Sequence, residues 1–521
     1  TSSSASGSAV RREYPPRPTD RPETLRQTAA HTNIRRERIR RRKSDRGERI
    51  PATRQPPSPI PYIRIMSATL VLITTLAIAV TLACFFVRLR LRALIHPGTY
   101  FLVIWLLAVP GYYFSATNNI FPLYYPRYAD ELTGYVLFTT LCFFAFLWRK
   151  PAAVKFGANT IDYFRTERIF LQCAGVVLAT ALLMWIKSGA HFNIGVARLE
   201  ILKDYLDINY QSTPMDTVGA LIAQLNTPLS IYAGYELLRR MAGEPGMIRK
   251  ARNLAIPFLT AVVYAFTIGG RNPIAANIKL YLLGMGFAAI YHMPRGVYLK
   301  FMRYALAVVV AFGLFSTFVA DSRSKAFGTE TRKALYSSST MARFSGVIDY
   351  MSCHYVGYQL RRVDWLYDAP TYGTETFNGF FSVGVPFAST LGIRSATVGE
   401  LVGVKPFDKL QVSLNDDRED FGTSTASIYM NMYHDFGHYG TYVFILLFVF
   451  FTQRCFEGYL SRRITAMSSI YFYFLLLSYW GSSNFSSSFM VEGILYTYVL
   501  LYLYDLLLGN RSLKRSLTCP T

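Results

Sequence analysis

Apolar and aromatic residues fill most of the chain in long runs, separated by short polar and basic segments. A transmembrane helix needs about 20 predominantly apolar residues. Windows of that kind fall at 66–87, 99–117, 131–148, 168–187, 216–238, 252–268, 273–292, 301–320, 425–452, 465–481 and 486–508. They predict an all-α polytopic membrane protein with about 11 transmembrane helices. One interruption breaks the rhythm. From Asp321 to Thr425 roughly a hundred residues are not membrane-like, far more than an ordinary connection between helices uses. The expected plan is therefore a tail over 1–65, a first membrane bundle over 66–320, one large external loop over 321–424 in the C-terminal half, transmembrane helices over 425–508 and a cytoplasmic tail over 509–521.

Composition agrees with that plan. Of 521 residues, 51% are hydrophobic and only 17% charged, too apolar for a soluble multidomain chain. The formal charge of +23 does not point to nucleic acid, because the excess sits in the first 65 residues and in short loops. Arg88, Arg90 and Arg92 follow the first window; Arg149, Lys150, Lys155, Arg165 and Arg168 lie between the third and fourth; Arg239, Arg240, Arg249, Lys250 and Arg252 lie between the fifth and sixth. Arg295, Lys300 and Arg303 follow the seventh, and Arg454, Arg462 and Arg463 the ninth. Counting helices puts all of these on one side, which the positive-inside rule makes cytoplasmic, and puts the long loop outside.

The first 65 residues are a different material, rich in Arg, Ser, Thr and Pro around the run Arg35 to Lys43, and a segment with so little to bury is expected to be disordered. It holds no Met, and the helix count places Met66 outside, against the basic charge that precedes it. The biological chain is therefore expected to begin at Met66. The six cysteines show no CxxC spacing, and Cys84, Cys142 and Cys173 lie inside apolar windows as small buried residues.

Candidate chemistry gathers at the outer ends of the windows. Gly269-Gly270-Arg271-Asn272-Pro273 ends one helix on paired glycines and starts the next with proline in its first turn. The free N–H groups and positive dipole of that helix start, with Arg271 beside them, suit a phosphate or diphosphate; the structural alternative is an arginine reaching for headgroups. Asp321, Arg323 and Lys325 form a second polar knot at the end of the 301–320 window, with an interfacial ion pair as the bland alternative. Arg343 and His354 lie in 340–366, whose apolar residues recur at helical spacing and read as an amphipathic helix on or dipping into the membrane. His434 and Asp435 open the 425–452 window, where an ionisable pair costs desolvation and either residue could serve as a general base. Lys279, Glu236 and Glu492 also sit in apolar windows; Lys279 could reach the same cavity, and structural pairing is the reading for Lys279 and Glu492. No Walker A loop, GxSxG, HExxH or dinucleotide fingerprint occurs, and no metal or cofactor is expected.

Three stretches carry a resemblance: Gly270-Arg271 opening a window; Tyr372-Gly373-Thr374-Glu375-Thr376-Phe377-Asn378-Gly379-Phe380 followed by Val385-Pro386; and Thr423–Gly440 with its Asp-Phe-Gly-x-x-Gly end. Together with the many-helix plan and the long loop, the chain over residues 66–508 resembles the bacterial oligosaccharide repeat unit polymerases of the O-antigen polymerase type. Members of that family often carry Pro-Arg after the glycine segment, where this chain has Pro386-Phe387, with Arg394 as the nearest substitute. The resemblance implies a metal-independent, GT-C-like membrane glycosyltransferase in the bacterial plasma membrane, its active site facing the periplasm or exterior. Such an enzyme transfers a growing glycan from undecaprenyl diphosphate to the non-reducing end of an incoming lipid-linked unit. Arg271 and Arg323, with Lys325 and Arg343, would hold the diphosphate, and His434 or Asp435, with Asp321 as rival, would be the base. The implied partners are the undecaprenyl-diphosphate-linked oligosaccharide, membrane lipids and a chain-length regulator protein, with no nucleic acid. A flippase or transporter for lipid-linked oligosaccharide, and an O-antigen ligase-like transferase, are the competing expectations; the sequence shows no internal repeat of the kind many transporters have.

Overall fold

The structure, a computed structural model, describes residues 61–117, 126–149, 163–164, 166–190, 192–193, 197, 218–219, 222–270, 272–292, 303, 354–355, 357–359, 362, 371–377, 412–413, 422–423, 427–461, 466–483 and 494–506. Within them the chain is helical except for turns and one two-residue antiparallel pair, β1 (Val412–Ser413) with β2 (Gly422–Thr423). The helices are α1 (Pro61–Leu89), α2 (Pro97–Thr117), α3 (Pro126–Leu147), α4 (Glu167–Lys187), α5 (Asn226–Met241), α6 (Ile256–Thr267), α7 (Asn272–His292), α8 (Ile428–Ser461), α9 (Met467–Gly481) and α10 (Ile494–Tyr504). Positions 61–65, expected in the tail, belong to the backbone of α1.

Proline sets many of these starts. It is the first residue of α1, α2 and α3 and the second of α6 and α7, where its missing N–H would have no intrahelical acceptor anyway. The same effect moves two expected boundaries. The 216–238 window yields α5 only from Asn226, with Pro228 in its first turn, the place where proline costs a helix least. The 252–268 window divides into a 3-10 turn, Ala251–Ala255, and α6 for the same reason at Pro257. Thr166 caps α4 by accepting the Ile169 N–H at 3.3 Å.

Among the described residues six helices have the length and apolarity to cross a membrane: Ala68–Leu89, Pro97–Phe114, Pro126–Leu147, Glu167–Lys187, Asn272–Ile290 and Ile428–Leu460. The outward residues of α1 (Leu72, Val80, Val87) and α4 (Val176, Leu183, Ile186) are large, apolar and exposed, the pattern of a lipid-facing surface. The chain is a helical, multi-pass membrane protein. The windows at 216–238, 252–268, 465–481 and 486–508 correspond to shorter helices, and 301–320 lies outside the described residues except for Arg303.

An aromatic core joins α2, α3, α8 and α9. Phe101, Phe143 and Trp480 meet with ring centroids 5.1 to 5.7 Å apart. Each buried indole finds an acceptor: Trp105 Nε1 donates to Ser483 Oγ and Trp480 Nε1 to Thr452 Oγ1, both at 2.8 Å. A second contact, α5 against α7, is close enough to be backbone on backbone. A Cβ at Gly284 would lie 1.9 Å from the Ile231 carbonyl oxygen, and one at Gly234 would lie 2.3 Å from that of Tyr281. Small residues at such crossings let helices pack where no hydrophobic effect drives them together.

Polar side chains tie the remaining elements. Glu236, fully buried on α5, accepts from Tyr232 and Arg239, both at 3.3 Å. Asp505 accepts the N–H groups of Met467 and Ser468, both at 2.9 Å, and so caps α9 from beyond the end of α10. Between α1 and α2, buried His96 accepts the Gly98 N–H on Nδ1 at 2.9 Å, so its Nε2 carries the proton and donates to Gln453 Oε1 at 3.0 Å. Gln453 then donates to Glu457 Oε1 at 3.1 Å.

Candidate functional site

The run Tyr433 to His438 follows the first turn of α8, and its shape depends on one residue. Gly437 adopts φ 68°, ψ −174°, inside what is otherwise a continuous helix. That region is essentially closed to residues with a Cβ. The helix therefore turns a corner just after His434, Asp435 and Phe436, and the two halves carry separate groups of side chains.

On the first half, segment 371–377 is clasped against α8. The backbone carbonyls of His434 and Asp435 accept the N–H groups of Thr371 (3.3 Å) and Tyr372 (3.1 Å). The Asp435 carboxylate, fully buried, accepts the N–H of Glu375 at 3.1 Å and of Thr376 at 2.6 Å, and the Thr371 hydroxyl as well. Asn431 Nδ2 donates to the Glu375 carbonyl at 3.1 Å. Tyr372 and Gly373 both take positive φ (50° and 94°), the tight bend that aims successive N–H groups toward one anion. Asp435 is thus an acceptor for three donors, a role that anchors the loop and occupies its oxygens.

His434 has a different job. Its Nδ1 pairs with Glu375 Oε1, and both side chains are almost completely buried. A carboxylate on Nδ1 holds the proton there and leaves Nε2 as the basic nitrogen. That is the arrangement an orienting acid imposes on a general base.

A second charged group lies beside the first. Glu131, near the start of α3, accepts from the Tyr358 hydroxyl at 2.5 Å and from Arg362 Nε at 3.0 Å, with His438 Nδ1 3.8 Å from its other oxygen. His438 Nδ1 lies 2.8 Å from the Tyr135 hydroxyl. The Arg362 guanidinium stacks over the Tyr433 ring at 3.7 Å and lies 5.0 Å from that of Tyr128. Tyr433 therefore touches the Arg362 cluster while its neighbours His434 and Asp435 hold 371–377.

Residues 354, 355, 357–359 and 362 are helical, in line with an amphipathic helix there, and they pack into the bundle. Tyr355 stacks on Tyr112 at 4.2 Å and 4°, Gln359 donates to the Tyr112 hydroxyl at 2.8 Å, and His354 sits edge-on to Trp105 at 5.2 Å. Burial pushes the His354 imidazole down to about 3, so it is neutral. Of its apolar stripe, Tyr355 and Tyr358 are described and both are buried in the bundle.

Of the residues singled out from the sequence, the structure brings together His434 and Asp435 with the 371–377 stretch. Asp321, Arg323, Lys325, Arg343 and Arg271 lie outside the described residues, as does Glu492. Sequence reasoning passed over Glu131, Arg362, Glu375 as a partner, and His438. The signal for Glu131 was present, an acidic residue at the edge of an apolar window; nothing local indicated that a residue some 230 positions away would neutralise it. Comparison with protein-family models, curated proteins and solved structures finds no match to this chain.

Proposed function

We propose that the protein is a metal-independent membrane glycosyltransferase that polymerises lipid-linked oligosaccharide units. In this reading eleven helices span a bacterial plasma membrane, the long loop faces outward, and a glycan passes from undecaprenyl diphosphate to the non-reducing end of an incoming unit. A sugar hydroxyl of the incoming unit attacks the anomeric carbon of the donor, the bond to the diphosphate breaks, and undecaprenyl diphosphate leaves. The observation that carries the proposal is the carboxylate-held imidazole, His434 with Glu375, at the meeting of the loop's 371–377 segment and a membrane-spanning helix. Its Nε2, buried in this structure, is the base assigned to the attacking hydroxyl. Asp435 anchors the segment that bears Glu375. Arg271, Arg323, Lys325 and Arg343 are assigned to the diphosphate, where cations offset the charge of the leaving group, and Asp321 is the reserve base. A chain-length regulator is the expected protein partner.

The test is elongation by the purified full chain in lipid, supplied with a lipid-linked repeat unit. Wild type should release undecaprenyl diphosphate and lengthen the glycan. His434→Gln should slow the reaction by about 10²–10⁴-fold, the usual contribution of a positioned base. Translocation of the lipid-linked unit without bond formation would establish a transporter instead, and full activity in an Arg271→Ala, Arg323→Ala double variant would remove the diphosphate assignment.

A further inference from the structure

The basic ends of α1, α3 and α8 meet in one patch. Arg88, in the last turn of α1, donates from Nη2 to the Trp148 and Arg149 carbonyls, both at 3.2 Å, and its guanidinium lies 5.0 Å from the Trp148 ring centroid. It thereby satisfies carbonyls just past the end of α3. These bonds use Nη2 alone, which leaves the Nε and Nη1 donors uncommitted among the described residues. Arg149 and Arg454 share a second ring: their guanidiniums lie 5.3 and 5.4 Å from the centroid of Phe450 on α8. Arg149 makes no ion pair among the described residues. Arg454 makes one, at 3.5 Å to Glu457 Oε2, and the other oxygen of that mostly buried carboxylate accepts from Gln453. Three exposed guanidiniums therefore gather around one carboxylate.

The surface leading away from the patch is apolar. On α8, Leu447 (60% exposed) and Phe451 precede Arg454 by seven and three residues, so the three line one face of the helix. On α3, exposed Leu141 stands two turns before Trp148 (56% exposed), and on α1 exposed Val87 adjoins Arg88. All three helices have the length and apolarity to cross a membrane, so the patch falls where hydrocarbon gives way to headgroups. Cations alone would attract any anion. Cations standing on an apolar, lipid-facing shoulder are matched only by an anion that carries hydrocarbon.

We propose that this patch binds one anionic phospholipid of the bilayer, its phosphate held by Arg88, Arg149 and Arg454 and its acyl chains lying on the exposed faces of α3 and α8. Arginine suits the role because its planar fork of donors matches phosphate oxygens. A zwitterionic headgroup fits less well, since it brings an ammonium against three guanidiniums. The site is at the opposite end of α8 from His434, and it concerns binding alone, whatever reaction the chain carries.

The test is native mass spectrometry of the full chain in detergent, titrated with phosphatidylglycerol or with phosphatidylcholine of the same acyl chains. One phosphatidylglycerol should be retained at concentrations where phosphatidylcholine is not. Arg149→Gln combined with Arg454→Gln changes two exposed side chains and leaves the Arg88 bonds to α3 in place. This pair should weaken retention by about fivefold for each arginine removed, with the lipid-free melting temperature of wild type, so that the loss is read on a folded chain. Arg249→Gln combined with Lys250→Gln removes the same charge from the loop between α5 and α6 and should leave retention unchanged, which separates a site from general attraction to a basic face. Equal retention of the two lipids, displacement of phosphatidylglycerol by free glycerol 3-phosphate, undiminished retention without Arg149 and Arg454, or an equal loss without Arg249 and Lys250 overturns the proposal.

Discussion

At the scale of single residues, His434 and Asp435 are adjacent in sequence and opposite in use. Asp435 spends its carboxylate on three donors of 371–377, while His434 is held by a carboxylate. Asp435→Asn keeps the shape but sets an amide NH₂ against backbone N–H groups, leaving a buried donor unsatisfied. The expected cost is about 1–3 kcal/mol, seen as faster protease cleavage or cysteine labelling near Tyr372 with the helical bundle still folded; unchanged accessibility would contradict the anchoring role. The buried imidazoles predict a pH dependence. Burial pushes His354 down to about 3 and His96 down to about 4, from an ordinary value of 6.5. Between those values and 6.5 the unfolded chain holds more protons than the folded one. Stability is therefore complete above 6.5 and is lost as pH falls, by about 1.4 kcal/mol per pH unit for each imidazole. Thermal melts in detergent at about pH 7.5 and about pH 5 should show the loss, and His96→Gln should reduce its slope.

At the scale of elements, Gly437 decides the geometry of α8. Nothing lies within 4 Å of where its Cβ would be, so Gly437→Ala meets no clash and its cost is backbone strain alone. That cost is about 1–3 kcal/mol, and the helix can relieve it by straightening. Straightening would pull His438 from Tyr135 and move Tyr433 away from Arg362. The expected result is a folded protein with a lower melting temperature and weakened transfer activity, measured on one preparation; wild-type values for both would show that the corner is dispensable. The periodicity of this stretch predicted a helix and could not show the corner. A glycine between Phe436 and His438 is compatible with either shape, and only the 371–377 segment clasped to one half and Glu131 beside the other define it.

At the scale of the whole molecule, crossing direction is the property to test. If α4 spans the membrane, Arg149 in the loop before it and Ser188 at its end lie on opposite sides, with Arg149 inside. Single-cysteine variants at those positions, in a background lacking the native cysteines, should label with a membrane-impermeant reagent from opposite faces; labelling from the same face would reverse the topology. Much of the architecture was legible in the chain itself, because a membrane-spanning helix must be long, apolar and internally hydrogen-bonded, and those are local properties. The windows at 66–87, 99–117, 131–148, 168–187, 273–292 and 425–452 all became helices of spanning length. Local chemistry marked 433–437, and the family resemblance marked 372–380, as stretches of interest. What only the tertiary structure decided is which buried polar groups pair with one another. Glu131 with Arg362, Glu375 with His434, and His96 with Gln453 pair across 59 to 357 positions of chain. A carboxylate in an apolar window announces the cost of its burial, but the partner that offsets the cost is chosen by how helices pack, and that choice has no periodicity to read.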